Sequence, residues 1–302
     1  MYKFLTKSLL FTTLLILLFA IYLNIFGKYI DYFYEKFTTP KQFSLIIGDS
    51  RAKGGIFPKV LDSCLKSTDY QTPTYNFSFT IAQSIYGPSY LEAIKRKLNT
   101  ASNNQLFILQ ATPWMLANRE PETKKESDSS FVDSPPHNMM NMISNPNIEY
   151  LIKNFDYFNF KGIFRKNSVL YKDGHSVNNN LPKNELVFQK WKKIQLDIFL
   201  KWKNEWRPSE YRMNWLQNTV TYLQQYGTVI IVRMPFDQEF LEIENRFWPE
   251  FDIDMEKIAN DNKLIYLNYS TKSDWSTFDG HHLDKYGAKL FSQRLSNDIM
   301  KY

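Results

Sequence analysis

The chain has 302 residues, 43% hydrophobic and 23% charged, a balance that supports a packed core and excludes wholesale disorder. A single cysteine, Cys64, excludes an intrachain disulfide framework and a cysteine-based zinc site. Four histidines (His137, His175, His281, His282) leave little material for a histidine-rich metal centre. The net charge of +6 comes from scattered basic residues without a cluster, which reads as a solvated lysine-rich surface and gives no nucleic-acid footprint.

Residues 8–27 carry no charge and lie between Lys7 and Lys28. At about 1.5 Å per residue this segment spans the roughly 30 Å hydrocarbon core of a bilayer. Tyr22, Tyr29, Tyr32 and Tyr34 suit an interfacial aromatic belt. A cleaved signal peptide is the rival reading, but no A-x-A-like site follows, which favours an uncleaved anchor. Lys3 and Lys7 before the span are balanced by Lys28, Lys36 and Lys41 after it. Orientation therefore rests on the short basic tail, which favours a cytoplasmic N-terminus and an extracytoplasmic globular part. The expected organisation is a tail and transmembrane anchor over 1–27, a tether over 28–41 and a domain over 42–302.

In the domain, short apolar runs alternate with helical patterns. Residues 43–48 suit a buried strand, followed by a helix with Val60, Leu61 and Leu65. Residues 75–79 are a second strand candidate, 84–98 a helix, and 106–109 a third strand closed by Thr112, Pro113 and Trp114. From about 118 to 182 the alternation breaks. Polar and Pro-rich pieces (120–130, 134–137) surround aromatic ones (150–164), which reads as an insertion or cap, partly flexible. Helices are expected over 184–204 and 209–226, the second stopped by Gly227. Residues 228–232 form a fourth strand, 238–259 a helix interrupted at Pro249, and 264–267 a fifth strand. Asp284 can cap a last helix running to about Met300. Apolar strands separated by helices predict a three-layer α/β/α domain with a mainly parallel five-stranded sheet. Ligands then bind at the strands' carboxyl ends, in loops beginning at Gly48, Phe79, Gln110, Met234 and Tyr269.

Two of these loops hold reactive groups. Gly48-Asp49-Ser50-Arg51 places a hydroxyl where a strand hands over to a helix, although the same residues also make an ordinary turn or cap. Asp279-Gly280-His281-His282 places a carboxylate three residues before an imidazole, close enough to fix its tautomer. A serine hydroxyl needs such a base before it can attack an ester.

The stretch SLIIGDSRA near the start of the domain and DGHHLDKYGAKLFSQRL at its end resemble the first and last blocks of the SGNH (GDSL-type) hydrolase superfamily. The resemblance implies a flavodoxin-like α/β/α fold. Ser50 takes the nucleophile position, His282 the base and Asp279 the orienting acid; the cap at Asp284 and Gly287 also fit. His281 falls between the matched positions and is read as solvent-facing or packing. The middle departs from the pattern. Residues 76–80 lack the family's oxyanion-hole glycine, and the stretch from Gln110 to Trp114 replaces its Gly-x-Asn-Asp block. Backbone N–H groups at Ser50 and near Ser78 and Thr80 can still form the hole, with Gln110, Thr112 or Asn118 in place of the missing amide. Arg51 can contact an anionic substrate group or the oxyanion, or make a surface or structural ion pair, for example with Asp49. Asp49 itself is read as shaping the turn. Trp114 is a core residue before it is a sugar platform.

These readings lead to a membrane-anchored serine esterase or O-acyltransferase. The resemblance implies acyl, above all acetyl, esters of an extracytoplasmic glycan as substrate. The alternative is a catalytically inactive binding or assembly component of an envelope polysaccharide pathway. The expected partners are the bilayer, through 8–27, a carbohydrate or other acyl-ester substrate, and other envelope glycan-modifying proteins; no nucleic acid, cofactor or metal is expected.

Overall fold

Side chains of alternating parity fix the architecture. In the computed structural model, which describes residues 1–26, 33–119, 133–154, 168–271 and 274–302, five strands form one sheet. They are β1 (Ser44–Ile47), β2 (Thr74–Asn76), β3 (Gln105–Gln110), β8 (Gly227–Arg233) and β9 (Ile265–Asn268). Four shorter strands outside the sheet, β4 (Ala117–Asn118), β5 (Ser168–Leu170), β6 (Ser176–Asn178) and β7 (Arg207–Pro208), pair as two antiparallel ribbons, β4 with β7 and β5 with β6. Successive side chains of a strand point to opposite faces. Leu45, Ile47, Phe107, Leu109, Val229 and Ile231 accordingly enter one buried cluster. Ile46, Leu106, Ile108, Ile230 and Val232 enter a second. A strand buried on both faces must be apolar throughout, which is why these runs are continuous rather than alternating.

Helices cover both faces. The first cluster is closed by α4 (Pro88–Lys97), α5 (Ile148–Asn154), α7 (Glu210–Leu223) and α9 (Phe251–Asp261). The second is closed by α2 (Ser50–Gly55), α3 (Pro58–Cys64) and α10 (Lys285–Ile299). A third cluster joins α6 (Glu185–Glu205) to α8 (Gln238–Phe247) through Phe199, Phe240, Leu241 and Ile243, with Trp114 and Trp206. The sheet order is β2-β1-β3-β8-β9, all pairs parallel, so the three-layer α/β/α expectation is met. After β1 the chain moves outward to β2 and returns past β1 to β3. That reversal puts a switch point between β1 and β3, where a crevice opens at their carboxyl ends.

Several boundaries move. The second strand ends at Asn76 although an apolar run to Phe79 was expected. Phe77 and Phe79 still donate backbone hydrogen bonds to Ile46 (2.8 Å) and Gly48 (3.0 Å). The helix expected from residue 84 begins at Pro88, whose fixed φ and missing N–H suit a first helical position. The helical pattern of 238–259 divides around Pro249 into α8 and α9.

The N-terminal helix α1 (Tyr2–Phe26) is longer than the uncharged segment. Its stretch Tyr2–Tyr22 has a mean hydropathy of 2.2 and is almost wholly exposed, with Tyr22 at its end packed against the first buried cluster, so it is long and apolar enough to cross a membrane, as a signal sequence also is. Residues 34–37, within the expected tether, form a 3₁₀ turn in which Tyr34, Lys36 and Phe37 are buried. Lys36, counted among the charges flanking the span, donates to the carbonyls of Asn76 and Gly174 inside the domain. The expectations for 28–32, for 120–130 and for most of the aromatic run 150–164 lie outside the described residues.

Candidate active site

The turn that carries Ser50 is built by local hydrogen bonds. Asp49 is the N-cap of α2, and its carboxylate accepts from the Arg51 N–H at 2.8 Å. Gln110, at the end of the neighbouring strand β3, places Oε1 between the N–H groups of Asp49 (2.8 Å) and Ala52 (3.3 Å). Gly48 allows this approach: a Cβ there would overlap Gln110 and lie 2.7 Å from the Ala52 Cβ. Ser50, the first residue of α2, is thereby held half-buried at the switch point.

The facing imidazole arrives from the other end of the chain. Gly280 adopts φ +77, a left-handed conformation that costs glycine little, and so turns the loop between Asp279 and His282. Asp279 Oδ1 accepts from the N–H groups of His281 (3.0 Å) and His282 (2.7 Å), while Oδ2 lies 2.8 Å from His282 Nδ1. His282 Nε2 lies 2.9 Å from Ser50 Oγ, across 232 positions of sequence. With Nδ1–H given to Asp279, Nε2 is the acceptor for the Ser50 hydroxyl proton. Burial pushes the Asp279 carboxyl up, but the charge of His282 and the bonds from His282 and His281 outweigh it and hold the group below its ordinary value. Asp284 caps α10 by accepting from Tyr286 and Gly287, both at 2.8 Å, and so fixes the helix after His282.

Ser50 and His282 line a cleft of about 410 Å³ with Arg51, Lys53, Gly54, Thr80, Phe278, Leu283 and Lys285. Ser168, Ser176, Val177, Asn178 and Asn180, from the β5–β6 ribbon and the chain after it, also line it. That volume suits a small-molecule ligand.

Of the secondary candidates, Thr80 and Arg51 line the cleft and the others do not. Ser78 is fully buried, its hydroxyl donating to Ile46 O (3.3 Å) and its N–H to Asn76 Oδ1 (3.1 Å). Gln110 is buried and braces the Ser50 turn through its oxygen. Thr112 caps the 3₁₀ turn Pro113–Leu116, accepting from Met115 N–H at 3.2 Å. Asn118 lies in the β4–β7 ribbon, opposite Arg207. Polar residues at strand ends have two claimants, cleft and backbone, and here backbone amides took Gln110 and Thr112 while a backbone carbonyl took the Ser78 hydroxyl.

Arg51 pairs with Glu244 (3.3 Å) and not with Asp49, because the Asp49 carboxylate is committed to a backbone amide. Its guanidinium lies over the Phe236 ring, and Glu244 also binds Arg233 at 2.9 Å. His281 is buried, which makes it the packing residue of the two readings rather than the solvent-facing one. It sits between Phe199 and Phe240 in a pocket whose burial drives its pKa well down, helped by the charges of His282 and Arg51. Trp114 is a core residue, packed on Phe199, Trp202, Trp206 and Phe247.

Lys53, Lys285 and the ribbon were missed as cleft residues. The ribbon had a signal: Asp173-Gly174 stands between short runs with Val169 and Val177, and Asp-Gly between such runs marks a hairpin. Lys53 also had one, since it lies one helical turn beyond Ser50.

No family model matches the chain, and no curated protein matches it. Among solved structures, the inhibitor-bound aryl esterase of M. smegmatis is 12% identical, over 86% of this chain and 99% of that one, with a TM-score of 0.40. Est24, a carbohydrate acetylesterase from Sinorhizobium meliloti, is 9% identical over the same shares, with a TM-score of 0.39.

Proposed function

We propose that the protein is a serine esterase or O-acyltransferase in which Ser50, His282 and Asp279 act as one unit. The observation that carries this reading is the continuous chain of contacts from Ser50 Oγ to His282 Nε2 (2.9 Å) and from Nδ1 to Asp279 (2.8 Å). Ser50 Oγ attacks the acyl carbon while His282 Nε2 takes its proton. Asp279 holds the ring in the required tautomer and stabilises the imidazolium. The Nε2–H then protonates the leaving alkoxide, which departs and leaves an acyl-Ser50 ester. Water or an acceptor hydroxyl, deprotonated by the same nitrogen, releases the acyl group and restores Ser50.

The developing oxyanion needs donors. Ser78 and Phe79 N–H groups are bonded to Asn76 and Gly48, and Arg51 and Ala52 N–H groups to Asp49 and Gln110. Among the described residues, the amides of Ser50 and Thr80 make no such bond, and both residues line the cleft. They are the two donors assigned to the hole.

Acetyl esters of an extracytoplasmic glycan are the substrate class we favour. Polar Ser168, Ser176, Asn178 and Asn180 beside apolar Val177, Phe278 and Leu283 offer the mixed lining that sugars use. The apolar helix Tyr2–Tyr22 would hold the enzyme at the membrane, with its short basic tail in the cytoplasm and the domain outside. Protease treatment of spheroplasts should digest the domain; full protection would reverse the orientation.

The inward-turned Gln110 and Thr112 favour one second reading, a glycan-binding component with a vestigial triad. A fluorophosphonate probe separates the two. Labelling that disappears in Ser50→Ala, together with acetyl-ester turnover lost in His282→Ala, supports the enzyme. Equal labelling of Ser50→Ala, or identical background turnover in both proteins, supports the binding component.

A further inference from the structure

Resting on the reading of the cleft as a glycan-ester site, we propose that a second groove beside it binds the sugar residue next to the one that carries the ester, with Trp191 as the stacking platform. The substrate is then an acylated oligo- or polysaccharide rather than a single acylated sugar. The groove measures about 250 Å³ and shares Asn178, Asn180 and Phe278 with the cleft, so the two cavities lie against each other. The Phe278 ring also stacks on the His282 ring, with centroids 5.5 Å apart and planes 9° apart. One wall of the groove is therefore in contact with the imidazole that faces Ser50.

Helical spacing supplies the platform. Trp191, Ile194 and Gln195 stand at i, i+3 and i+4 of α6, share one face and all line the groove. The chain has seven tryptophans. Among the described residues, the other six join one of the three buried clusters, and Trp191 joins none. It is nonetheless half-buried. An indole that serves no core and stands in a cavity wall has a face to offer a ligand. A pyranose has an apolar C–H face and a rim of hydroxyls. Trp191 and Ile194 suit the face, and the amide side chains of Asn178, Asn180 and Gln195, each both donor and acceptor, suit the rim. Asn178 Oδ1 accepts from the Asn180 N–H (3.0 Å), which ties these two residues together where the cavities meet. The carboxylate in the lining, Asp279, is taken by the His282 ring and two amides, so the groove suits a neutral ring.

The platform is fixed relative to His282. Lys192, the neighbour of Trp191, turns to the other side of α6 and pairs with Asp237 (2.8 Å) and Glu239. Asp237 in turn accepts from the Thr277 hydroxyl (3.2 Å) and donates its N–H to Gly280 O (2.9 Å). Gly280 lets the helix approach, since a Cβ there would lie 2.9 Å from Lys192 Cγ. Helix α6 and the loop 277–282 thus hold the groove open at a set distance from the reacting pair, and a ring bound there loses little to reordering of the protein.

The test compares one ring with two on the full-length protein. Acetylated methyl glucoside is set against acetylated methyl cellobioside, and acetylated N-acetylglucosamine against its acetylated β-1,4 dimer. In at least one pair the second ring should raise kcat/KM for acetate release by about tenfold. Trp191→Ala should cut that gain to about twofold or less, by raising the disaccharide KM rather than lowering kcat. Trp191→Phe, which keeps a ring, should retain about half of the gain. Leu186→Ala, exposed on the same helix and outside the groove's lining, should retain all of it. Binding is read separately in Ser50→Ala by titration calorimetry with the unacetylated sugars. The disaccharide of that pair should bind about tenfold more tightly than the monosaccharide, and adding Trp191→Ala should abolish the difference. Equal kcat/KM and equal affinity for one and two rings in both pairs, or a gain that survives Trp191→Ala, overturns the groove and leaves the esterase standing. A gain that appears only when acetyl is lengthened to butyryl, and that is lost with Trp191, assigns the groove to the acyl chain and overturns the proposal as well. Tighter binding of two rings with no turnover and no labelling at Ser50 supports the groove and overturns the esterase.

Discussion

The loops after β1 and β3 leave adjacent parallel strands at the same edge of the sheet, yet they do opposite things. The first lifts Ser50 into the cleft, 2.9 Å from His282. The second turns its polar groups inward. Gln110 Oε1 holds two amides of the first loop, Ala111 N–H bonds to Val232 O (3.0 Å), and Thr112 caps a turn that buries Trp114. A hydroxyl can be exposed at a switch point because its neighbour satisfies the amides that the sharp turn strands. The bracing loop has given up chemistry of its own: a side chain at Gly48 would displace Gln110, and Gln110 cannot reach a substrate without releasing Asp49 and Ala52.

The largest expected effects separate the two loops by function. Ser50→Ala and His282→Ala should each lower kcat by about 10⁴-fold or more, and Asp279→Asn by about 10³- to 10⁴-fold, with the far-ultraviolet circular dichroism of the wild type retained. Asp279→Asn has a second readout. The carboxyl is held below its ordinary value in the folded protein, so it contributes stability that is complete above the unfolded pKa of about 3.9 and is lost as pH falls through the lower folded value. The difference in melting temperature between wild type and Asp279→Asn should be level from pH 8 to 5 and narrow below about pH 4. A difference that widens on acidification would contradict the depressed carboxyl.

The next effect breaks the brace. Gln110→Leu keeps the bulk of the side chain but leaves the Asp49 and Ala52 amides without their acceptor. One unsatisfied buried donor costs about 1–3 kcal/mol, so urea denaturation should show a loss of about 2–6 kcal/mol for the two. A displacement of about 1 Å at the nucleophile turn can cost on the order of 10²-fold, and kcat should fall by that factor while KM changes little. If stability falls and kcat does not, the third strand's loop is not what positions Ser50.

The unequal legibility of the two loops has a physical origin. Apolar runs such as residues 45–47 and 106–109 must be strands buried on both faces, and the sheet and its layers follow from them. The Asp279–His282 turn and the Ser50 turn are each short-range patterns, and their placement at strand ends made a meeting foreseeable. A side chain's choice between cleft and backbone was not, because it depends on which amides a tertiary neighbour leaves unpaired. Gln110 and Ala52 are 58 positions apart, and no local pattern joins them. The ion-pair partner of Arg51 and the packing site of His281 were illegible for the same reason. Their surroundings, Glu244 for one and Phe199 with Phe240 for the other, come from helices α6 and α8 far along the chain.

The smallest effect compares the loops like for like, because each contains one side-chain cap. Asp49 caps α2 through the Arg51 N–H, and Thr112 caps the following 3₁₀ turn through the Met115 N–H. Loss of either cap removes one acceptor from an otherwise stranded amide, so Asp49→Ala and Thr112→Ala should each cost about 0.5–2 kcal/mol by denaturant unfolding. Equal stability losses need not mean equal kinetic ones. Asp49 holds the first turn of the helix that begins with Ser50, and freeing that turn widens the distribution of Oγ positions relative to His282. Thr112 holds Trp114 in a packed aromatic cluster away from the cleft. We expect Asp49→Ala to lower kcat by about tenfold and Thr112→Ala by less than about twofold. A comparable fall in both would mean that the two loops move as one body, with the cap of either setting the geometry of the nucleophile.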